Sequence, residues 1–244
     1  MSPSLVLVAN AGESSISTFR VTDAGLERLS VTTGTTGCSN FAVDPERGLV
    51  YASVKADDEN ADAGILTLSL DRETGDLTPL TRVPLPGGAM NYLSLTRDGS
   101  VLLGAAYSGG YGIVCAVDAY GVVSPPAAEV RFPRLHSVLA SGDGRHAYFV
   151  SLESDLIAQF SLGDDLALTP LDPPVVAAPT GSGPRHLAFG DDEQTLYVLT
   201  EFTGEVLRYR RDATAGTLKL LSSTPAHDPS EKLRHSVIDE DPRE

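Results

Sequence analysis

Gly181-Ser-Gly-Pro-Arg-His-Leu-Ala-Phe189, running on into the turn and strand Asp192-Glu-Gln-Thr-Leu-Tyr197, is one copy of a unit that the chain repeats. Turn-then-strand copies stand at Glu46-Arg-Gly-Leu-Val-Tyr51, Asp98-Gly-Ser-Val-Leu-Leu103 and Asp143-Gly-Arg-His-Ala-Tyr148, and the opening Ser4-Leu-Val-Leu7 reads as the strand half of another. The anchors fall at 7, 51, 103, 148 and 197, with spacings of 44, 52, 45 and 49 residues. Self-similarity in this range is the signature of a propeller or solenoid. Each period reads as apolar strand, Asp/Gly turn, apolar strand, polar turn, alternating strand, Gly-x-Leu hairpin and last strand, the content of one propeller blade. The hairpin step recurs at Gly75-Asp-Leu77 and Gly216-Thr-Leu218, with Gly25-Leu26 and Gly121-Val122 as looser copies, as expected where a turn needs positive φ. No segment carries a period of 3.6, so the expected fold is all-β: a β-propeller of four-stranded blades with about five repeats.

The repeat runs unbroken, so residues 1–244 read as a single domain. The tail 227–244 is polar and charged and ends where a sixth anchor falls due. Five repeats are either a closed five-bladed ring or an arc of a larger one. An open arc exposes apolar blade faces and is expected to self-associate.

A net charge of −15 opposes nucleic acid and anionic membrane as partners, both of which demand clustered basic residues. It leaves room for a small anionic substrate held by a local cation cluster. Ser4 to Ala11 is apolar but too short to span a bilayer, and no basic segment precedes it, so a first strand and a cytoplasmic location are expected. Cys38 and Cys115 lie in different repeats without metal-ligand spacing and read as buried free thiols. The acidic turns Asp57-Asp58-Glu59 and Asp191-Asp192-Glu193 read as solvated turns. No phosphate loop, nucleophile elbow or paired-histidine motif occurs, so neither a cofactor nor a metal is expected.

The innermost strand of each blade lines the central channel, and equivalent positions in successive blades form rings. Seven residues before the turn starts at 46, 98, 143 and 192 stand Ser39, Asn91, His136 and Arg185, all polar. The second strand returns antiparallel to the same mouth, bringing Lys55, Tyr107, Leu152 and Glu201 to it. Arg185, Glu201 and His136 with Asn91, Tyr107, Lys55 and Ser39 therefore share one mouth, in an arrangement suited to acid-base work and anion binding. His186 follows Arg185 and should face the other way by strand alternation. His146 reads as a solvated turn residue, and His227 and His235 as surface residues.

Gly183-Pro-Arg-His-Leu-Ala-Phe189 followed by Leu196-Tyr-Val-Leu-Thr-Glu201 resembles the bacterial 6-phosphogluconolactonase family of seven-bladed propellers, which includes the fungal carboxy-muconate cyclising enzymes. The resemblance extends through Asn91-Tyr-Leu-Ser-Leu-Thr-Arg-Asp-Gly99, Ala106-Tyr-Ser-Gly109, Leu135-His-Ser-Val138 and Ser154-Asp155. It implies that His136, Arg185 and Glu201 form an active site. The sequence departs from the family pattern in lacking the last two blades, in a shortened stretch before His136, and in Ser151-Leu-Glu-Ser154 where a DLG-like segment is usual. The leading expectation is a lactone hydrolase of carbohydrate metabolism acting on 6-phosphogluconolactone or a similar sugar lactone. In it Arg185 would hold an anionic group or oxyanion, Glu201 or His136 would activate water, and Asn91, Tyr107, Lys55 and Ser39 would contact substrate. A carboxymuconate cycloisomerase and a propeller that binds a ligand or protein without catalysis are the alternatives.

Overall fold

The computed structural model describes residues 4–56 and 62–228, and the acidic run at 57–59 and His235 lie outside them. Nineteen strands form five antiparallel sheets in strict chain order. Blade 1 holds β1 (Leu5–Asn10), β2 (Ser15–Thr22) and β3 (Gly25–Thr33), with one short 3-10 turn between the first two. Blade 2 holds β4 (Phe41–Asp44), β5 (Leu49–Val54), β6 (Ala63–Leu70) and β7 (Leu77–Leu85). Blade 3 holds β8 (Tyr92–Leu95), β9 (Val101–Ala106), β10 (Tyr111–Ala116) and β11 (Ala128–Arg131). Blade 4 holds β12 (Leu135–Ala140), β13 (His146–Ser151), β14 (Leu156–Leu162) and β15 (Leu168–Ala177). Blade 5 holds β16 (Pro184–Phe189), β17 (Thr195–Thr200), β18 (Glu205–Arg211) and β19 (Leu218–Pro225).

The expectation of four strands per repeat therefore holds for four blades. The first is three-stranded among the described residues, because β1 corresponds to the second strand of the others and no described residue fills the innermost place.

Stability comes from between the blades. Second strands such as β5, β9 and β13 are buried along their whole length, so they read as continuous apolar runs rather than alternating ones. Four apolar cores result. Ile16, Val50 and Leu68 join blades 1 and 2, Tyr51, Leu102 and Ile113 join blades 2 and 3, Leu103, Val138 and Phe149 join blades 3 and 4, and Val150, Leu196 and Leu207 join blades 4 and 5.

Two sequence motifs meet at these seams. Two of the repeat tyrosines donate to hairpin glycine carbonyls of the next blade, Tyr51 to Gly121 at 3.2 Å and Tyr148 to Gly216 at 2.6 Å. Each hairpin needs its glycine twice over. The φ angles are +81° and +73°, and a Cβ would stand 2.0 Å from Leu49 and 2.1 Å from His146 of the preceding blade.

That approach also corrects the reading of His146. It begins β13 and is buried, because Gly216 closes over its ring and the buried guanidinium of Arg211 meets its Nδ1 at 2.9 Å. His227 lies half-buried, its Nδ1 3.3 Å from the Gly204 carbonyl oxygen.

The inter-blade cores generate a stability prediction. Phe149→Ala leaves a cavity between blades 3 and 4 and should cost ~3–5 kcal/mol in urea denaturation. A loss below ~1 kcal/mol would show that the seam can collapse and is not the main source of stability.

Candidate active site

The inner strands of blades 4 and 5 do not run straight. Leu135 pairs with Ser151 but Ser137 with Val150, and Pro184 pairs with Thr200 but His186 with Leu199. His136 and Arg185 are thus extra residues opposite no partner. A β-bulge of this kind bends the strand and re-aims its side chain.

Bulging pulls a carbonyl out of the ladder, and a buried carbonyl needs a donor. Here the preceding blade supplies it. Asn91 Nδ2 donates to the His136 carbonyl at 2.6 Å, and Ser137 Oγ donates to the Arg185 carbonyl at 2.7 Å. Asn91 is held in turn, since the Tyr107 N–H donates to its Oδ1 at 2.5 Å.

The segment leading to Arg185 is fixed by Asp155, at the turn after β13. Its carboxylate accepts the N–H groups of Gly181 at 2.6 Å and Gly183 at 2.8 Å. Gly183 has φ +61° and a Cβ there would lie 2.5 Å from the Phe202 ring, so this turn admits only glycine without rearrangement. The Gly183 carbonyl then accepts the Glu201 N–H at 2.7 Å, which ties the end of β17 to the start of β16.

At the mouth Arg185 Nε lies 2.7 Å from Glu201 Oε2 and donates to His136 Nε2 at 3.1 Å. The Nε–H donates to His136, and the Glu201 carboxylate stands at ion-pair distance from the same nitrogen. Both members of the ion pair are 40% exposed, so its worth to stability is ~1 kcal/mol or less, and its importance is positional. Among the described residues the two terminal nitrogens of the guanidinium have no partner.

His136 accepts at Nε2, so its ring proton sits on Nδ1, which is buried without a partner. Burial first, and then the positive charge of Arg185 and the neighbouring His186, pull its pKa down to about 4. The ring is therefore neutral at neutral pH. Tyr107 meets it edge-on at 5.7 Å between centroids.

The strand-alternation reading of His186 is corrected here. The bulge at Arg185 breaks the alternation, and the His186 ring stands 5.1 Å from that of His136 and 5.8 Å from Tyr92. Burial, again first, and Arg185 lower its pKa.

The structure brings Asn91, Tyr107, His136, Arg185 and Glu201 together. Ser39 and Lys55 occupy the expected register on blade 2 but join none of these contacts. Ser39 is exposed, and the Lys55 stem lies across Gly37. Asp155, Ser137 and His186 are the supporting residues that pattern reading missed. Asp155 and Ser137 lay in the quoted segments Ser154-Asp155 and Leu135-His-Ser-Val138, without a role attached to either.

The site is an open, charged mouth. A cleft of about 320 Å³ lies at the other end of the blades, where the turns of blades 2 and 3 present Asp44, Arg47, Thr96 and Asp98. Among the described residues no cluster of histidine, cysteine and carboxylate side chains could hold a metal ion, and no helix is long and apolar enough to cross a membrane. Cys38 and Cys115 are buried free thiols, which burial pushes up to about 11 and about 12.

Residues 6–238 match the family described as lactonase, 7-bladed beta-propeller, and the chain belongs to that family. Among individual proteins it is similar to 6-phosphogluconolactonase of Yersinia pestis (strain Pestoides F), 26% identical over 223 residues, covering 91% of this chain and 65% of that one. It is also similar to 6-phosphogluconolactonase of Serratia proteamaculans (strain 568), 28% identical over 204 residues, covering 83% and 60%. The chain thus spans less than two thirds of the length of these relatives. Among solved structures it resembles the periplasmic gluconolactonase PpgL of Pseudomonas aeruginosa, with a TM-score of 0.81 at 25% identity, covering 93% of this chain and 69% of that one.

The depressed histidines predict a pH dependence of folding. His136, His146 and His186 are all held below their ordinary value, so the unfolded chain binds protons more readily than the native one as pH falls below 6.5. Stability is fully present above pH 6.5 and should be lost progressively towards pH 4, and His136→Gln should flatten part of that slope. Denaturation midpoints with no change between pH 7 and pH 5 would contradict these shifts.

Proposed function

We propose that this mouth opens a sugar lactone by hydrolysis, with 6-phosphogluconolactone as the substrate. The observation that carries the reading is a guanidinium fixed by Glu201 and His136 along one edge, with its terminal N–H groups turned to no protein partner. A planar fork of this kind suits a carboxylate or the oxyanion that develops on a lactone carbonyl. The names of the relatives, both 6-phosphogluconolactonase, support the substrate class.

The roles divide by electrostatics. Glu201 uses Oε2 on Arg185, and Oε1 takes the proton of a water that adds to the carbonyl carbon. Collapse of the tetrahedral intermediate breaks the ring C–O bond, and the proton on Glu201 passes to the departing alkoxide. The product is the open hydroxy acid, whose carboxyl gives up its remaining proton to solvent and stays on Arg185 as the carboxylate. His136 acts as a neutral acceptor that orients Arg185, since its Nε2 lone pair already receives the Arg185 hydrogen bond and its Nδ1 carries the ring proton, which leaves no acceptor for a water. A phosphorylated lactone is confined to the compartment that makes it, so this reading places the chain in the cytoplasm, in the pentose phosphate pathway. The Pseudomonas neighbour, by contrast, is named periplasmic.

Continuous hydrolysis of 6-phosphogluconolactone above the spontaneous rate tests the reading. Turnover should fall ~10²–10⁴-fold in Glu201→Gln. His136→Gln, which keeps an acceptor for Arg185, should retain more activity than His136→Ala. Absence of turnover in the chain, or full activity in Glu201→Gln, would overturn the assignment. A limb of the pH profile at about 4 suits an ordinary carboxylate as well as His136, so the variants decide. Loss in His136→Gln as deep as in Glu201→Gln would make His136 the base, whereas retained turnover follows from the neutral-acceptor role.

A further inference from the structure

Arg134, two residues before His136, is the second cation of this mouth. Its guanidinium carbon stands 5.0 Å over the Tyr107 ring, whose edge in turn contacts His136. Its Nε donates to Glu153 Oε2 at 3.0 Å, and both side chains are more than half exposed, at 52% and 59%. An exposed pair of this kind separates readily when a stronger anion arrives. The backbone of Arg134 has φ +46°, a region that residues other than glycine enter only where the surroundings hold them. The Leu152 N–H bonded to the Arg134 carbonyl at 3.1 Å and the aromatic face beneath its side chain do that holding.

We propose that Arg134 is a specificity residue that binds the phosphate of the lactone, with Glu153 as its counter-ion when the site is empty. The proposal rests on the lactone reading above and names the group that would distinguish one lactone from another. On a chain of net charge −15 an anionic substrate is repelled everywhere except where cations cluster. Arg134 and Arg185 lie on either side of the Tyr107–His136 pair, so a sugar can present its carbonyl to Arg185 and its phosphate to Arg134. A guanidinium held over a ring by a cation–π contact can exchange a carboxylate for a phosphate, because both accept the same fork. Arg134 and Glu153 also lie in the two segments where this sequence departs from the family pattern.

The test compares binding with turnover. Calorimetry with 6-phosphogluconate and with gluconate needs no catalysis. Arg134→Ala should weaken 6-phosphogluconate at least ~10-fold more than gluconate, as loss of a charge-assisted contact to phosphate requires. Glu153→Gln should tighten 6-phosphogluconate by removing the competing carboxylate. In the hydrolysis assay the Arg134→Ala defect should appear in KM for the phosphorylated lactone rather than in kcat. Equal losses for both ligands, unchanged affinities, or weaker phosphate binding in Glu153→Gln would overturn the proposal. Phosphate binding that depends on Arg134 in a chain without turnover would overturn the lactonase reading and leave this subsite standing.

Discussion

Two backbone carbonyls, those of His136 and Arg185, stand outside the strand ladder and are satisfied by side chains of the preceding blade, and the rest of the site depends on this. A bulge without a donor would bury an unpaired carbonyl at a cost of ~1–3 kcal/mol, enough to favour a straight strand. Asn91 and Ser137 remove that cost and weld blade 3 to blade 4 and blade 4 to blade 5 at the channel wall. The bond that aims a functional side chain is therefore the bond that sets the spacing of the blades.

Electrostatics then divides the labour between two groups that meet the Arg185 Nε, His136 by a hydrogen bond and Glu201 by an ion pair. Glu201 receives the short contact, His136 the longer one, and neither neutralises the outer edge of Arg185. Burial keeps His136 uncharged, which spares Arg185 a second positive neighbour. Were His136 protonated, it would cease to accept from Arg185 and would repel it. A low histidine pKa is thus a condition for holding the clamp. The acidic surface beyond the mouth adds selectivity of a different kind, since it leaves anions few places to bind.

Much of the architecture was legible in the sequence because a propeller repeats its chemistry in register. Tyrosine anchors and glycine hairpins stood out as motifs, and the structure joins them in two contacts between blades, Tyr51 with Gly121 and Tyr148 with Gly216. The same register brought Asn91, His136, Arg185, Tyr107 and Glu201 together on paper. What stayed hidden depended on a single extra residue or on a neighbouring blade. Strand alternation sends His186 away from Arg185, and only the bulge, which has no residue-type signature, returns it to the ring. His146 follows Asp143-Gly-Arg and looks like a turn, yet Gly216 and Arg211, some seventy residues on, bury it. That blade 1 shows no inner strand among the described residues agrees with Ser4-Leu-Val-Leu7 as the strand half of the turn-then-strand unit.

The central claim is that Arg185, held by Glu201 and His136, faces the reacting carbonyl at this mouth. A crystal structure of the chain with 6-phosphogluconate tests it most directly. The account predicts the product carboxylate on the terminal nitrogens of Arg185 with Glu201 beside it. Product seated instead in the turn-end cleft near Arg47 and Asp98, with the mouth unchanged, would contradict it.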